Sequence, residues 1–226
     1  MTIRTIPLLA LGLMVAGPAL AQAPTDNVIR CSGPFGKDSS FKLLQDTFGA
    51  DNVTTEAYDG VEGETGEVTV VYAKDPTKRL EFTWLDDETK TGLAAVDVPG
   101  DSQWVSEAGM KNGATLADVE KINGGPFVMT GFDWDLGGAI IDAKDGKLVH
   151  QPGECLLGAS FLPDDKTPEP VRSKVSGDGE FPSDSPDMKA VNPTVVQWSV
   201  FYPGEEMPEE APPADDAAPA DGTAPK

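Results

Sequence analysis

The stretch Val70-Val71-Tyr72-Ala73-Lys74-Asp75-Pro76 is echoed further along the chain by Ile140-Ile141-Asp142-Ala143-Lys144-Asp145-Gly146. Each stretch is an apolar strand end followed by Ala-Lys-Asp and a turn-forming residue, and each leads into a second apolar run. Each also lies downstream of a short helical pattern that ends at a glycine, Gly49 in one case and Gly124 in the other. The repeated order predicts one structural module used twice.

The first predicted module covers residues 27–107 and contains one short helix. Phe41, Leu44 and Phe48 recur on one face of that helix, which Asp38 or Ser39 caps and Gly49 ends. Alternating apolar and polar residues predict strands that follow the helix. These strands cover residues 51–57 at the sheet edge, 67–73, 79–85 and 93–98, with 104–105 as an extension of the sheet.

The second predicted module covers residues 108–203 and repeats this order. Thr115 and Asp118 form a capping-box pattern before the apolar positions of a helix, which ends at Asn123-Gly124-Gly125. Strands are predicted over 127–134, 137–143, 147–150, 156–162 and 195–202, with a hairpin turn at Asp145-Gly146. Residues 163–193 form a long polar connection, either a mobile loop or a loop that binds a partner. The predicted fold class is α+β, with each module a short helix packed on an antiparallel sheet.

Two motifs in the second module resemble known families. The segments 113–119 (Gly-Ala-Thr-Leu-Ala-Asp-Val) and 123–127 (Asn-Gly-Gly-Pro-Phe) resemble the tandem modules of the β-lactamase-inhibitor protein fold. They are also similar to the single module of outer-membrane assembly lipoproteins of the SmpA/OmlA type. Residues 108–138 also resemble a group of exported bacterial proteins with a Gly-Phe-x-Trp-Asp-x-Gly-Gly segment. The resemblance implies a concave sheet that binds another protein. The chain departs from the inhibitor pattern in having one cysteine pair, so the inhibitor's target is not carried over.

Both ends of the chain differ in composition from its middle. Arg4, an apolar stretch too short to span a bilayer and Ala19-Leu20-Ala21 predict a signal peptide over 1–21, with Ala21-Gln22-Ala23 as a second cleavage site. Residues 204–226 are mostly Pro, Ala, Asp and Glu, a composition that predicts a disordered tail. We therefore expect a periplasmic protein with no membrane insertion.

The chain is strongly acidic, with 38 Asp and Glu against 17 Lys and Arg and a net charge of −21. Without the signal peptide and the tail, 31 acidic and 15 basic residues remain. Nucleic acid and anionic lipid are poor partners for such a field. A basic protein, a cation or a neutral ligand remains possible as a partner. The alternative is that the acidic charge only keeps the protein soluble. The oligomeric state also stays open.

Cys31 and Cys155 are the two cysteines of the chain. In an oxidising compartment they predict a disulfide between the two modules. Free thiols acting as metal ligands are the alternative.

The candidate binding segment is Gly131-Phe132-Asp133-Trp134-Asp135-Leu136-Gly137-Gly138. On a strand, Asp133 and Asp135 share one face and can meet a cation or basic side chains, with Trp134 in the core. The opposite orientation exposes Trp134 as a stacking platform for a sugar or a protein partner. A glycine-rich bend with a buried tryptophan is the structural alternative. The candidate binding residues are Phe132, Asp133, Trp134, Asp135, Gly137 and Gly138.

Catalytic chemistry has few candidates in this sequence. His150 is the only histidine and ends a predicted strand, and no Gly-x-Ser-x-Gly motif is present. The acidic segment lacks the spacing of a calcium loop, and the four tryptophans, Trp84, Trp104, Trp134 and Trp198, are expected mostly in the core. We expect no catalytic residue, cofactor or metal.

The sequence therefore favours a periplasmic, non-enzymatic binding protein that meets a protein partner through its sheet face or the 163–193 connection. Two roles fit, an inhibitor of a basic hydrolase such as a lysozyme and an envelope-assembly accessory. The alternative is a small-ligand or carbohydrate-binding protein that uses Asp133, Trp134 and Asp135, and a hydrolase ranks third.

Overall fold

The computed structural model describes residues 26–59, 65–134 and 136–203. The predicted signal peptide, the predicted tail and Asp135 lie outside the described residues. Statements about absent features below refer to these three ranges.

The chain forms a mixed α+β fold, as the sequence predicts. Its helices are α1 (Phe41–Phe48), α2 (Leu116–Asn123), α3 (Glu169–Arg172) and α4 (Pro186–Val191). Its strands are β1 (Val28–Ile29), β2 (Val53–Asp59), β3 (Thr65–Val71), β4 (Leu80–Asp86), β5 (Thr91–Val98), β6 (Val105–Ser106), β7 (Val128–Thr130), β8 (Ile140–Asp142), β9 (Leu156–Leu162), β10 (Glu180–Pro182) and β11 (Thr194–Phe201).

The two longest helices begin and end in closely similar ways. The Ser40 hydroxyl accepts a bond of 3.2 Å from the Leu43 amide, so Ser40 caps α1 in place of the predicted Asp38 or Ser39. At α2 the predicted capping box is confirmed. Thr115 Oγ1 accepts from the Asp118 amide at 3.2 Å, and Asp118 Oδ2 accepts from the Thr115 amide at 3.0 Å. Both helices end at the predicted glycines.

One antiparallel sheet runs through both halves of the chain, with strand order β2-β3-β4-β5-β11-β9. A bridge between Ala139 and Ser160 places β8, and with it the three-stranded sheet β10-β7-β8, alongside β9. Strand β2 lies at the edge, as predicted. The predicted extension at 104–105 is wrong, because β6 pairs with β1 in a separate parallel sheet.

The two halves begin their central strands in the same way. Thr91 begins β5 and bridges the cap residue Ser40, while Thr194 begins β11 and bridges the cap residue Thr115. The two strands then pair antiparallel, for example Val98 with Trp198 and Ala95 with Phe201. The division into two modules stays a prediction, which the matched bridges support.

The sheet buries one face. Along β4, for example, Leu80, Phe82 and Trp84 are buried while the residues between them are partly exposed. Both α1 and α2 pack apolar side chains into this core. Three of the four tryptophans are buried, as predicted, and Trp134 is not.

The second Ala-Lys-Asp segment does not return as the predicted strand over 147–150. Residues Lys147–Val149 form a 3-10 helix. Lys144 and Asp145 both have positive φ, and the buried Asn123 side chain accepts a bond of 3.2 Å from the Leu148 amide. This contact draws the chain towards α2, away from the sheet.

The connection over 163–193 contains secondary structure, which argues against the alternative of a mobile loop. It contains α3, a 3-10 helix at Ser173–Val175, β10 and α4. Val175, Met188 and Val191 are buried, and this burial explains the order of a segment rich in polar residues.

Cys31 and Cys155 are bonded, with Cα atoms 6.1 Å apart, so the predicted pairing is confirmed. Gly153 has a φ of +89°, and a Cβ there would run into the Cys31 carbonyl, so glycine lets the chain pass the disulfide closely. The described helices include none that is long and apolar enough to cross a membrane.

Candidate binding surface

The segment between β7 and β8 closes on itself through its own hydrogen bonds. The Gly131 carbonyl accepts from the Gly138 amide at 2.9 Å and from Trp134 Nε1 at 3.0 Å. Thr130 Oγ1 donates to the Leu136 carbonyl at 2.7 Å and accepts from the Ala139 amide at 3.0 Å. These bonds fix the loop, so its exposed side chains are held in position before any partner arrives.

Asp133 lies in a bend with a φ of +66°, so the expectation that it lies on a strand face is wrong. Its carboxylate accepts from Arg172 Nε at 3.0 Å, from Arg172 Nη2 and from Ser176 Oγ at 2.7 Å. The Arg172 hydrogen bond, and after it the Ser176 hydroxyl, lowers the pKa of Asp133 below its ordinary value. Asp133 therefore connects the loop to the last residue of α3 and to the segment that follows it.

The other predicted site residues differ in how far they are buried. Phe132 is 0 % exposed, and its backbone pairs with Val175 and Gly177, so its ring anchors the loop in the core. Gly138 is also buried, with a φ of +77°, and Gly137 is partly exposed. Trp134 is part-exposed, which matches the predicted orientation that presents its ring outwards.

A larger surface adjoins this loop. The sheet face opposite the core carries alternate side chains of seven strands, and we call it the open face. Its members follow from the strand alternation and the ladder pairs, and Val70 alone among them is fully buried. They are Thr54, Glu56, Tyr58, Val68, Val70, Glu81, Thr83, Leu85, Ala95, Asp97, Ile141, Leu156, Gly158, Ser160, Leu162, Gln197, Ser199 and Phe201.

Exposed apolar side chains are concentrated here. The described residues include six exposed large apolar side chains. Four of them, Tyr58, Leu85, Ile141 and Leu162, belong to the open face, and Trp134 and Leu136 belong to the adjoining loop. The helix side of the sheet has none among the described residues. The loop is joined to β9, since the Gly138 carbonyl accepts from the Phe161 amide at 2.9 Å. We therefore take the open face and the adjoining loop together as the candidate binding surface.

The charges of the open face are mainly acidic. Arg79 pairs with Glu56 at 2.8 Å and with Glu81 at 2.6 Å. Asp97 lies opposite Glu81 in the ladder and accepts a bond of 3.3 Å from Gln197 Nε2. Burial, the largest cause, raises the pKa of Asp97, and the nearby Glu81 adds to the rise. Arg79 therefore pairs with two of these three carboxyl groups, and Asp97 is in none of the ion pairs of the described residues.

Other sequence candidates lie away from this surface. His150 is a surface residue, as predicted, and its Nε2 lies 2.6 Å from Asp145 Oδ1. Across the described ranges, no three His, Cys, Asp or Glu side chains are grouped so that they could hold a metal ion.

The sequence predicts a binding site at 131–138, but it does not indicate which residues form the open face. The alternation of apolar and other residues along β4, β9 and β11 could have indicated this face, because every second side chain in these strands is less buried than its neighbours.

No protein family, curated protein or solved structure matches this chain. Its function is therefore argued from the open face and the adjoining loop.

Proposed function

We propose that this chain is an exported, non-enzymatic binding protein that holds a basic surface of another protein against its open face and the β7–β8 loop. One observation carries the proposal. Of the six exposed large apolar side chains of the described residues, four lie on the open face and two on the β7–β8 loop, whose Gly138 carbonyl accepts from the Phe161 amide of β9 at 2.9 Å. A patch of this kind on an otherwise polar protein is typical of a protein interface.

The loop supplies the expected centre of the interface. Trp134 is the one exposed tryptophan among the described residues, and Leu136 beside it is 66 % exposed. Tryptophan is enriched among the residues that dominate binding energy. Covering a leucine side chain contributes about 1.5–3 kcal/mol. Because the loop is fixed by its own bonds, little ordering entropy opposes the association.

The charge of the chain selects the partner class. The net charge is −21, and the open face itself carries Glu56, Glu81 and Asp97 against Arg79. Such a surface attracts basic proteins and speeds their association, an effect that salt weakens. A basic hydrolase such as a lysozyme fits this description, and so does a basic component of the cell envelope.

Export rests on two features. The first is the predicted signal peptide, and the second is the Cys31–Cys155 pair, which suits an oxidising compartment. The periplasm is therefore the proposed location.

The experiment compares two substitutions that each introduce one aspartate, one on the β7–β8 loop and one on α2. Tagged wild-type protein, Leu136→Asp and Ala117→Asp are used to capture partners from a periplasmic extract. Residue 117 is exposed on α2, away from the open face. The captured protein is then purified, and its affinity is measured by calorimetry at low and high salt.

We expect Leu136→Asp to weaken binding about tenfold or more, since one interface leucine contributes 1.4 kcal/mol or more. Ala117→Asp should bind like the wild type. Equal affinity for both variants, or an affinity that salt does not reduce, would overturn the proposal.

A second candidate function is carbohydrate binding at Trp134, favoured by its part-exposed indole ring. Both oxygens of Asp133 already accept bonds from Arg172 or Ser176, which leaves this carboxylate less able to bind sugar hydroxyls. A glycan array with wild type and Trp134→Ala tests this candidate. Retention of all glycan binding by the variant would exclude Trp134 as the platform.

A further inference from the structure

A cleft of about 630 Å³ opens on the helix side of the molecule, away from the open face. We call it the lysine cleft. Its walls come from the loop before α2, from α2 itself and from the chain after the second Ala-Lys-Asp segment. Among its lining residues are Lys111, Ala114, Lys121, Ile122, Lys147 and His150.

The lysines of this cleft differ from most basic residues of the chain. Nine of the fifteen described Lys and Arg form ion pairs, and Lys111, Lys121 and Lys147 are not among them. Three of the six described lysines without an ion pair therefore line this one cleft, in a chain of net charge −21.

Two acidic residues also line the cleft. Glu107 lies 3.5 Å from Arg30, and Asp118 accepts both the amide and the hydroxyl of Thr115 in the capping box. Neither is within ion-pair distance of the three lysines, although the charges of Lys111 and Lys121 help to lower the pKa of Asp118. Three lysines against two carboxylates leave the cleft with a positive charge, which favours an anion.

The backbone that carries the lysines is fixed. Asn123 at the end of α2 donates to the Ala143 carbonyl at 2.9 Å and accepts from the Leu148 amide at 3.2 Å. These bonds hold α2, with Lys121, against the 3-10 helix that Lys147 begins. On the third wall, Ser106 Oγ accepts from the Met110 amide at 2.9 Å and orders the loop before Lys111.

We propose that the lysine cleft binds a small anion that carries more than one negative charge, through its phosphate groups. The volume is that of a small-molecule site. Lysine is a compact point charge with three donors, and it is a common ligand of phosphate groups. Ala114 and Ile122 offer apolar contact to the body of an organic phosphate.

Calorimetry with inorganic pyrophosphate tests the proposal on the whole mature chain. Lys121→Gln and Lys147→Gln remove charge from the cleft. Lys189→Gln is the matched control, because Lys189 is exposed, lies on α4 and is in none of the ion pairs of the described residues. Circular dichroism confirms that each variant is folded.

We expect saturable binding that weakens about fivefold or more in each cleft variant and stays unchanged in Lys189→Gln, since one charge contact near a surface is worth that much or more. Binding should also weaken as salt rises. A second arm uses phosphatidylglycerol vesicles, and sedimentation that the same two variants abolish would assign the phosphate to a lipid headgroup.

Absence of binding in both arms would overturn the proposal. Equal loss in the cleft variants and in Lys189→Gln would overturn it as well, because the attraction would then be general. Tighter binding of citrate than of pyrophosphate would replace phosphate by carboxylate and refute the assigned chemistry. The partner-binding surface lies elsewhere, so failure here leaves the proposed function unaffected.

Discussion

Loss of the Cys31–Cys155 bond is the most direct test of how the two halves of the chain hold together. The bond closes a loop with a sequence separation of 124 residues. The chain-entropy relation for a loop of that length gives about 5 kcal/mol of stabilisation through the unfolded state. We expect the double variant Cys31→Ala, Cys155→Ala to lose about 4–5 kcal/mol of unfolding free energy, a large part of the total for a domain.

Urea unfolding followed by tryptophan fluorescence measures this loss. The dependence of the free energy on urea should become steeper, because an unfolded chain without the cross-link exposes more surface. Wild-type protein unfolded with a reductant is the matched control, since it loses the bond but keeps the sulfur atoms. Cys155 is buried, so the difference between the two samples reports the cavity left by alanine.

A loss below about 1 kcal/mol would refute this reasoning, because ordinary surface changes reach that size. An unchanged urea dependence would also contradict it, since it would mean that the cross-link hardly restricts the unfolded chain.

Three further predictions concern single side chains. Asn123→Ala should cost about 2–4 kcal/mol in urea unfolding, because it leaves buried backbone groups without partners. Burial raises the pKa of Tyr202 from 10.0 to about 12, so this residue stabilises the fold fully below pH 10 and the contribution is lost as the pH rises towards 12. Stability measured across that range should fall in the wild type and fall less in Tyr202→Phe. Gly138→Ala should destabilise more than Gly113→Ala in thermal unfolding, since both glycines have φ near +77° but only at Gly138 would a Cβ meet a backbone carbonyl. Equal melting temperatures for the two glycine variants would contradict the steric argument.

Features that depend on neighbouring residues could be predicted from the sequence. The capping box at Thr115 and Asp118, the glycine ends of α1 and α2 and the strand over 156–162 follow from residues close together in the chain. These features depend on contacts within one or two turns, and neighbouring residues determine such contacts. The disulfide was equally readable because the chain has only two cysteines.

Predictions that needed distant contacts were less successful. The segment over 147–150 has the alternation of a strand, yet the Asn123 side chain draws it towards α2 as a 3-10 helix. Asp133 reads as a strand residue, yet Arg172 and Ser176, which lie far along the chain, fix it in a bend. No sequence pattern indicates that Asp133 contacts Arg172 and Ser176.

The two proposed surfaces were predicted to different degrees. The loop at Trp134 was named from its unusual composition, but the open face emerges only when β5 and β11 pair across the two halves. The lysine cleft was not predicted at all, because Lys111, Lys121 and Lys147 come from three separate elements and their lack of ion pairs is visible only in the folded chain.

The pairing of β5 with β11 bears on how such a chain can be divided. Each strand begins with a threonine that bridges a helix cap residue, and an antiparallel pair is locally two-fold symmetric, as at the interface of a symmetric dimer. A fragment ending after β5 would expose an edge strand that can pair antiparallel with a second copy of itself. The central seam therefore has the geometry of a subunit interface enclosed within one polypeptide.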